Sequence, residues 1–191
     1  MIPRAAALST ILIVTGCGGT TQQTGEVYRV PSSAMEPTLH CARPIPGCRA
    51  DVADRIVVRP YGDAAPQRTD IVVLETPPLA LRECGAGGKF IKRLVGMPGE
   101  VWAERNGFVY VDGRKLDEPY VTAAGRDSET LTLRDLPPRG KLNRIPSGFY
   151  LALGDNRSFS CDSRRWGLVP RRSLVGEVVE IDRGSKRIDI R

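Results

Sequence analysis

Apolar residues in this chain come in short runs broken by glycine, proline and charge, a pattern of strands and turns rather than of long helices. Glu26–Val30 is a short β-prone run. Arg55–Arg59 sets Ile56, Val57 and Val58 between two arginines. Asp70–Leu74 reads Asp-Ile-Val-Val-Leu, the continuous apolar character of a buried strand, and Lys89–Val95 is a further candidate. Gly96-Met97-Pro98-Gly99 ends that run. Proline followed by glycine marks a type II turn, because glycine tolerates positive φ. Val101–Val111 contains Asn106-Gly107, a strong hairpin signal, and Asp112-Gly113 marks a second turn. Residues 122–146 carry Pro137-Pro138 and many polar groups and read as a small irregular insertion. Phe149–Leu153 and Ser173–Asp182 are the last strong strand candidates. No helical periodicity is sustained beyond two turns, and no repeat is visible. The pattern predicts a mainly β domain over 27–191, with antiparallel sheets coiled into a barrel-like core.

The first residues read differently. Met1–Arg4 forms a short positive region, and Ala5–Val14 is apolar but too short to span a bilayer, which takes about 20 residues. Val14-Thr15-Gly16-Cys17 resembles the lipobox of bacterial lipoproteins. That resemblance implies a signal segment over 1–16, lipidation of Cys17 and a polar tether over 17–26. The alternative is a short membrane anchor that contains a cysteine. Either places the domain at the extracytoplasmic face of a bacterial cell membrane.

Composition narrows the chemistry. The chain is 41% hydrophobic and 26% charged, with a net charge of +6. That charge suits an anionic lipid surface. Without a block of like charges or a recognisable module, the expectation is no nucleic-acid partner. A single histidine, His40, rules out a zinc site built from several histidines, and a structural role for it is the expectation. Setting Cys17 aside, Cys41, Cys48, Cys84 and Cys161 remain, an even number in an exported chain. Cys41 and Cys48 bracket a Pro- and Gly-containing loop and are natural partners, which leaves Cys84 for Cys161. A four-cysteine zinc site is the alternative, although no Cys-x-x-Cys knuckle is present.

On a strand over Lys89–Val95, Lys92 shares a face with Phe90 and Leu94. Apolar surroundings disfavour an ammonium, and a lysine made neutral can take a proton from a hydroxyl. The alternative is a lysine that reaches past its neighbours to water.

Four stretches carry a resemblance. Pro31-Ser32-Ser33-Ala34-Met35-Glu36-Pro37-Thr38-Leu39 resembles the nucleophile box Pro-Ser-x-Ser-Met-x-Pro-Thr-Leu of the type I signal peptidases. Arg68-Thr69-Asp70 followed by Ile71, Val72 and Val73 is similar to that family's Arg-Gly-Asp strand, with Thr69 where glycine is usual. Phe90 through Glu100 is similar to its lysine box, and Gly154 through Gly167 to its Gly-Asp-Asn-Arg box. The resemblance implies the fold shared by signal peptidases and self-cleaving repressors, and a monomeric endopeptidase that removes signal peptides from exported pre-proteins without metal or cofactor. By position, it implies Lys92 as general base, Ser32 in the oxyanion hole and Ser160 orienting the lysine. Asp155, Asp162 and Arg164 become structural supports, and Met35 and Pro37 line the substrate.

One residue departs from the pattern. The nucleophilic serine of the family falls at Ala34, and a methyl group has no lone pair with which to attack a carbonyl. Three readings stay open: Ser33 substitutes, the alanine is an introduced change, or the alanine is a sequence error or the mark of a natural pseudo-protease that binds exported peptides or a partner protease without cutting. An extended chain would aim Ser33 at the opposite face.

Overall fold

A computed structural model describes residues 25–190, so the expected signal segment, Cys17 and nearly all of the expected tether lie outside the described residues. In chain order the strands and helices are β1 (Glu26–Arg29), β2 (Arg55–Arg59), β3 (Ile71–Glu75), α1 (Leu79–Cys84), β4 (Lys89–Gly96), β5 (Trp102–Arg105), β6 (Phe108–Val111), β7 (Arg114–Lys115), β8 (Leu131–Thr132), β9 (Phe149–Leu153), α2 (Ser163–Trp166), β10 (Val169–Pro170), β11 (Leu174–Arg183) and β12 (Lys186–Asp189). Glu26, the last residue of the expected tether, already belongs to β1.

All strand pairs are antiparallel and fall into two sheets. The large sheet runs β1-β2-β11-β3-β4-β9-β10, with β12 pairing β11, and the small one runs β7-β6-β5-β8. The large sheet does not close into a ring among the described residues, since β1 and β10 stand at opposite ends of its path.

The local signals act where the sequence places them. Asn106 and Gly107 join β5 to β6 with φ of 49° and 72°, and Asp112 and Gly113 join β6 to β7 with φ of 48° and 80°. Two successive positive φ values match the right-handed twist of a hairpin, and Asn, Asp and Gly adopt them at least cost. After β4, Gly99 takes φ of 88° and the Glu100 N–H donates to the Met97 carbonyl, completing the type II turn.

Three apolar clusters fill the interior. One packs Val30, Met35 and Leu39 against Ile56, Val73 and Ile91 of the large sheet. A second joins Val72, Leu74 and Leu94 to Tyr150 and Val169. The third, around the fully buried Trp102, binds the small sheet to β4 and β9 and draws in Leu133, Leu136 and Ile145. Residues 122–146 are therefore less peripheral than their polarity suggests. They hold β8 and send three apolar side chains into the core.

Disulfides join Cys41 to Cys48 and Cys84 to Cys161. These bonds use the thiols that a four-cysteine zinc site would need, which rules out that alternative.

Candidate active site

The stretch 33–35 is a turn of 3₁₀ helix, not the extended chain that the alternation argument assumed. Side chains in such a turn step by about a third of a circle per residue, so Ser33 and Ala34 still diverge. The Ser33 hydroxyl donates to the Pro46 carbonyl at 2.9 Å and lies against Gly47. Ser33 is thus directed into the loop closed by Cys41 and Cys48. Ala34, by contrast, lines a cavity of about 370 Å³ together with Ser32, Met35, Phe90, Lys92 and the Cys84–Cys161 disulfide. The lining is mostly apolar, as expected of a site for small uncharged side chains.

β4 brings Lys92 to this cavity. Its partner across the ladder is Val72, and Leu94 beyond it is fully buried. Lys92 itself is only 3% exposed, so it does not reach past its neighbours to water. Nζ donates to the Ile91 carbonyl at 2.9 Å and stands 5.1 Å from the centre of the Phe90 ring. Burial pushes the ammonium down to about 8, against the opposing pull of the Asp162 and Asp155 charges, with Arg164 adding to the downward shift. At pH 7 about a tenth of such a lysine is neutral, against roughly one part in three thousand for an ordinary one.

Ser160 is half-buried with its Oγ out of solvent, yet that oxygen makes no hydrogen bond of regular geometry, and Lys92 bonds a carbonyl instead. The expected Ser160–Lys92 contact is therefore not formed. Ser32 is exposed at the cavity rim and makes no capping bond. Met35 is buried in the lining, whereas Pro37 is half-buried and lies outside it.

The support behind Lys92 is dense. Arg93 forms a two-pronged pair with Asp155 at 2.8 and 2.7 Å, donates to the Thr69 carbonyl and stacks 4.0 Å from the centre of the Tyr120 ring. The other acceptor face of Asp155 takes the Thr38 hydroxyl at 2.5 Å. One carboxylate thus ties β4 to the end of the Ala34 stretch. Asp162 holds Arg164 through Nε and Nη2 at 2.9 and 3.0 Å and accepts the Gly154 N–H. Burial alone would raise the Asp162 carboxyl. The Arg164 charge and hydrogen bonds, aided by the Ser160 hydroxyl and the Gly154 N–H, bring it below the usual carboxylate range.

Some contributors were missed by the sequence reading. Asn156 donates its N–H to the Ala34 carbonyl and its side-chain amide to the Ser33 carbonyl. Gly154 lets the two boxes touch: a Cβ there would stand 2.5 Å from the Ala34 carbonyl oxygen and 2.2 Å from Ser160 Oγ. Only the shared motif could have hinted at either, because the contacts with Ser33 and Ala34 join residues over a hundred positions apart. Thr69 takes φ of 76°, so the turn that glycine usually makes is kept by a β-branched residue. His40 is structural, its Nδ1 lying 2.8 Å from Glu36 Oε2.

A family model described as signal peptidase, peptidase S26, matches residues 4–181. A probable signal peptidase I-2 of Synechocystis sp. is 37% identical over 155 residues, which are 79% of this chain and 60% of that protein. A signal peptidase I of Leptolyngbya laminosa is 33% identical over 159 residues, 81% of this chain and 66% of that one. The chain therefore spans about 60% of the length of the first of these relatives. A crystal structure of a signal peptidase I from Enterococcus faecalis is 33% identical, with a TM-score of 0.49 over 59% of this chain and 96% of that one.

Proposed function

This chain belongs to the peptidase S26 family of signal peptidases, and on that basis we propose that it recognises the signal peptides of exported pre-proteins with a serine–lysine type site that lacks its nucleophilic hydroxyl. The observation that carries this reading is the shared cavity: Ala34 and a buried Lys92, lowered to about 8, line the same apolar space. With a serine at 34, Lys92 would take the hydroxyl proton as the oxygen attacks the carbonyl, then return it to the leaving amine. The N–H of residue 34 and the Ser32 hydroxyl are the donors for the oxyanion. Ser160 would assist by turning toward Nζ once a serine or substrate is in place.

As it stands, the chain binds and does not turn over. Ser33 gives no substitute, because its hydroxyl is bonded to Pro46 and is absent from the cavity lining. The peptide-binding reading is thus favoured for the chain itself, and the endopeptidase reading for its scaffold. A tether before Glu26, by a lipid on Cys17 or by a short anchor, would hold the domain as a monomer at the outer face of the membrane, where such peptides emerge.

The test is cleavage of a pre-protein by the chain as it is and by Ala34→Ser. Cleavage by Ala34→Ser alone supports the reading. Failure of both refutes the endopeptidase scaffold. Cleavage by the unchanged chain that disappears in Ser33→Ala refutes the assignment of Ser33.

A further inference from the structure

Behind the segment Ser160–Arg164, four carboxylates surround two guanidiniums. Arg157 is fully buried and takes both oxygens of Glu118. Arg164 is shared between Asp162 and Asp127, the latter at 2.5 Å from Nη1. The fourth carboxylate is Glu104 on β5, with no exposed surface. Its oxygens stand 3.8 Å from Arg157 Nη1 and 3.6 Å from Arg164 Nη1, and neither oxygen accepts a hydrogen bond. Two cations cannot balance four anions when only Asp127 of the four keeps partial access to solvent. The carboxylate without hydrogen bonds is the least stabilised in its charged form.

We propose that Glu104 is a positioning residue that holds a proton in the folded protein and, on losing it, competes with Asp162 for Arg164. The groups that face it are Arg164, Asp127, Arg157 and Asp162, with Glu118 behind Arg157. Burial pushes the Glu104 carboxyl up to about 7, the two arginines pull it down, and Asp127 and Asp162 add to the rise. The geometry gives the proton a consequence. Arg164 fixes Asp162, and Asp162 in turn accepts the N–H of Gly154, against which the Ala34 carbonyl lies. An ionised Glu104 draws Arg164 toward the small sheet and loosens that clamp. It also leaves the Asp162 charge less compensated beside Lys92, which raises the lysine. Only the catalytic meaning of this coupling rests on the proposed role of Lys92.

The test uses the unchanged protein, labelled with ¹³C in glutamate and lysine, and follows the Glu104 δ-carbon and the Lys92 ε-carbon by NMR from about pH 5 to about pH 10. The expected result is a Glu104 midpoint near neutrality and a Lys92 midpoint that shifts down in E104Q. A Glu104 carboxylate already ionised at the start of the titration overturns the proposal, as does a Lys92 midpoint unmoved by E104Q. If E104Q does not fold, through-bond correlation assigns Glu104 in the unchanged protein, and E104M provides the comparison for Lys92. Neither readout requires cleavage, so a chain whose scaffold fails the protease test leaves this one intact.

Discussion

Asn156 holds Ala34 by its backbone: the Asn156 N–H donates to the Ala34 carbonyl at 3.1 Å, while its side-chain amide donates to the adjacent Ser33 carbonyl at 3.0 Å. The side chain supplies the second bond from a buried position. Asn156→Ala would leave the Ser33 carbonyl without that donor and cost about 1–2 kcal/mol. Urea unfolding measures the loss, and calorimetric titration with a signal peptide should show weaker binding. Unchanged stability would show that the amide contributes little to seating the turn.

Lys92 makes stability rise with pH, in the same direction as a carboxylate whose folded value is lowered, but in an alkaline window. Its folded value is about 8 against an ordinary 10.5, so the unfolded chain binds more protons between those values. Stability should therefore rise as pH increases from about 8 to about 10.5, and the full penalty applies below that window. Lys92→Met removes the penalty and should stabilise the protein at pH 7 by up to about 3 kcal/mol, with this advantage fading from about pH 8 and mostly gone by about pH 10. Denaturation curves at both pH values decide the matter. An advantage that persists undiminished at high pH would have a packing origin instead.

Thr69 pays a backbone cost at φ of 76°. Its amide and carbonyl are both engaged, with Leu94 and Arg93, so the conformation is fixed from two sides. Thr69→Gly should stabilise by about 1 kcal/mol, the left-handed strain relieved exceeding the entropy that glycine adds to the unfolded chain. The check is the thermal midpoint, and a fall in it contradicts the strain.

Gly154→Ala should do the reverse. A methyl group would meet the Ala34 carbonyl oxygen and Ser160 Oγ well inside contact distance, and both belong to the candidate site. We expect a loss of about 2 kcal/mol or more together with impaired peptide binding. Binding at full strength would mean that the two boxes separate easily.

The Cys84–Cys161 bond closes a loop with a sequence separation of 77. On the chain-entropy view, removing such a link costs about 4 kcal/mol. A Cys84→Ser, Cys161→Ser double variant should melt well below the parent in the absence of reductant, yet above the fully reduced parent, which also loses the Cys41–Cys48 bond. An equal midpoint for variant and oxidised parent would show that the bond adds no stability.

The strands were legible because each carries its own signal: Ile71 through Leu74 are continuously apolar, and Asn106-Gly107 and Gly99 punctuate them. The segment 31–39 was less so. Its motif was visible, but its 3₁₀ geometry is set by contacts with Asn156 and Pro46 that local pattern does not encode. The same limit applies to Glu104. On β5 it is one polar residue between alanine and arginine, and only the tertiary arrangement surrounds it with Arg157 and Arg164. Residues 122–146 misled in the other direction, since their many polar groups masked the three side chains that enter the core.

β1 ends just before Val30 and Pro31, and both of these line the cavity. A strand advances about 3.3 Å per residue, so Glu26 is held on a leash of roughly 13 Å from Val30 at the cavity wall. A peptide held beside Glu26 would share a small volume with the site. Recognition of a peptide presented there becomes a matter of local supply, governed by the length of the leash, as much as of intrinsic affinity.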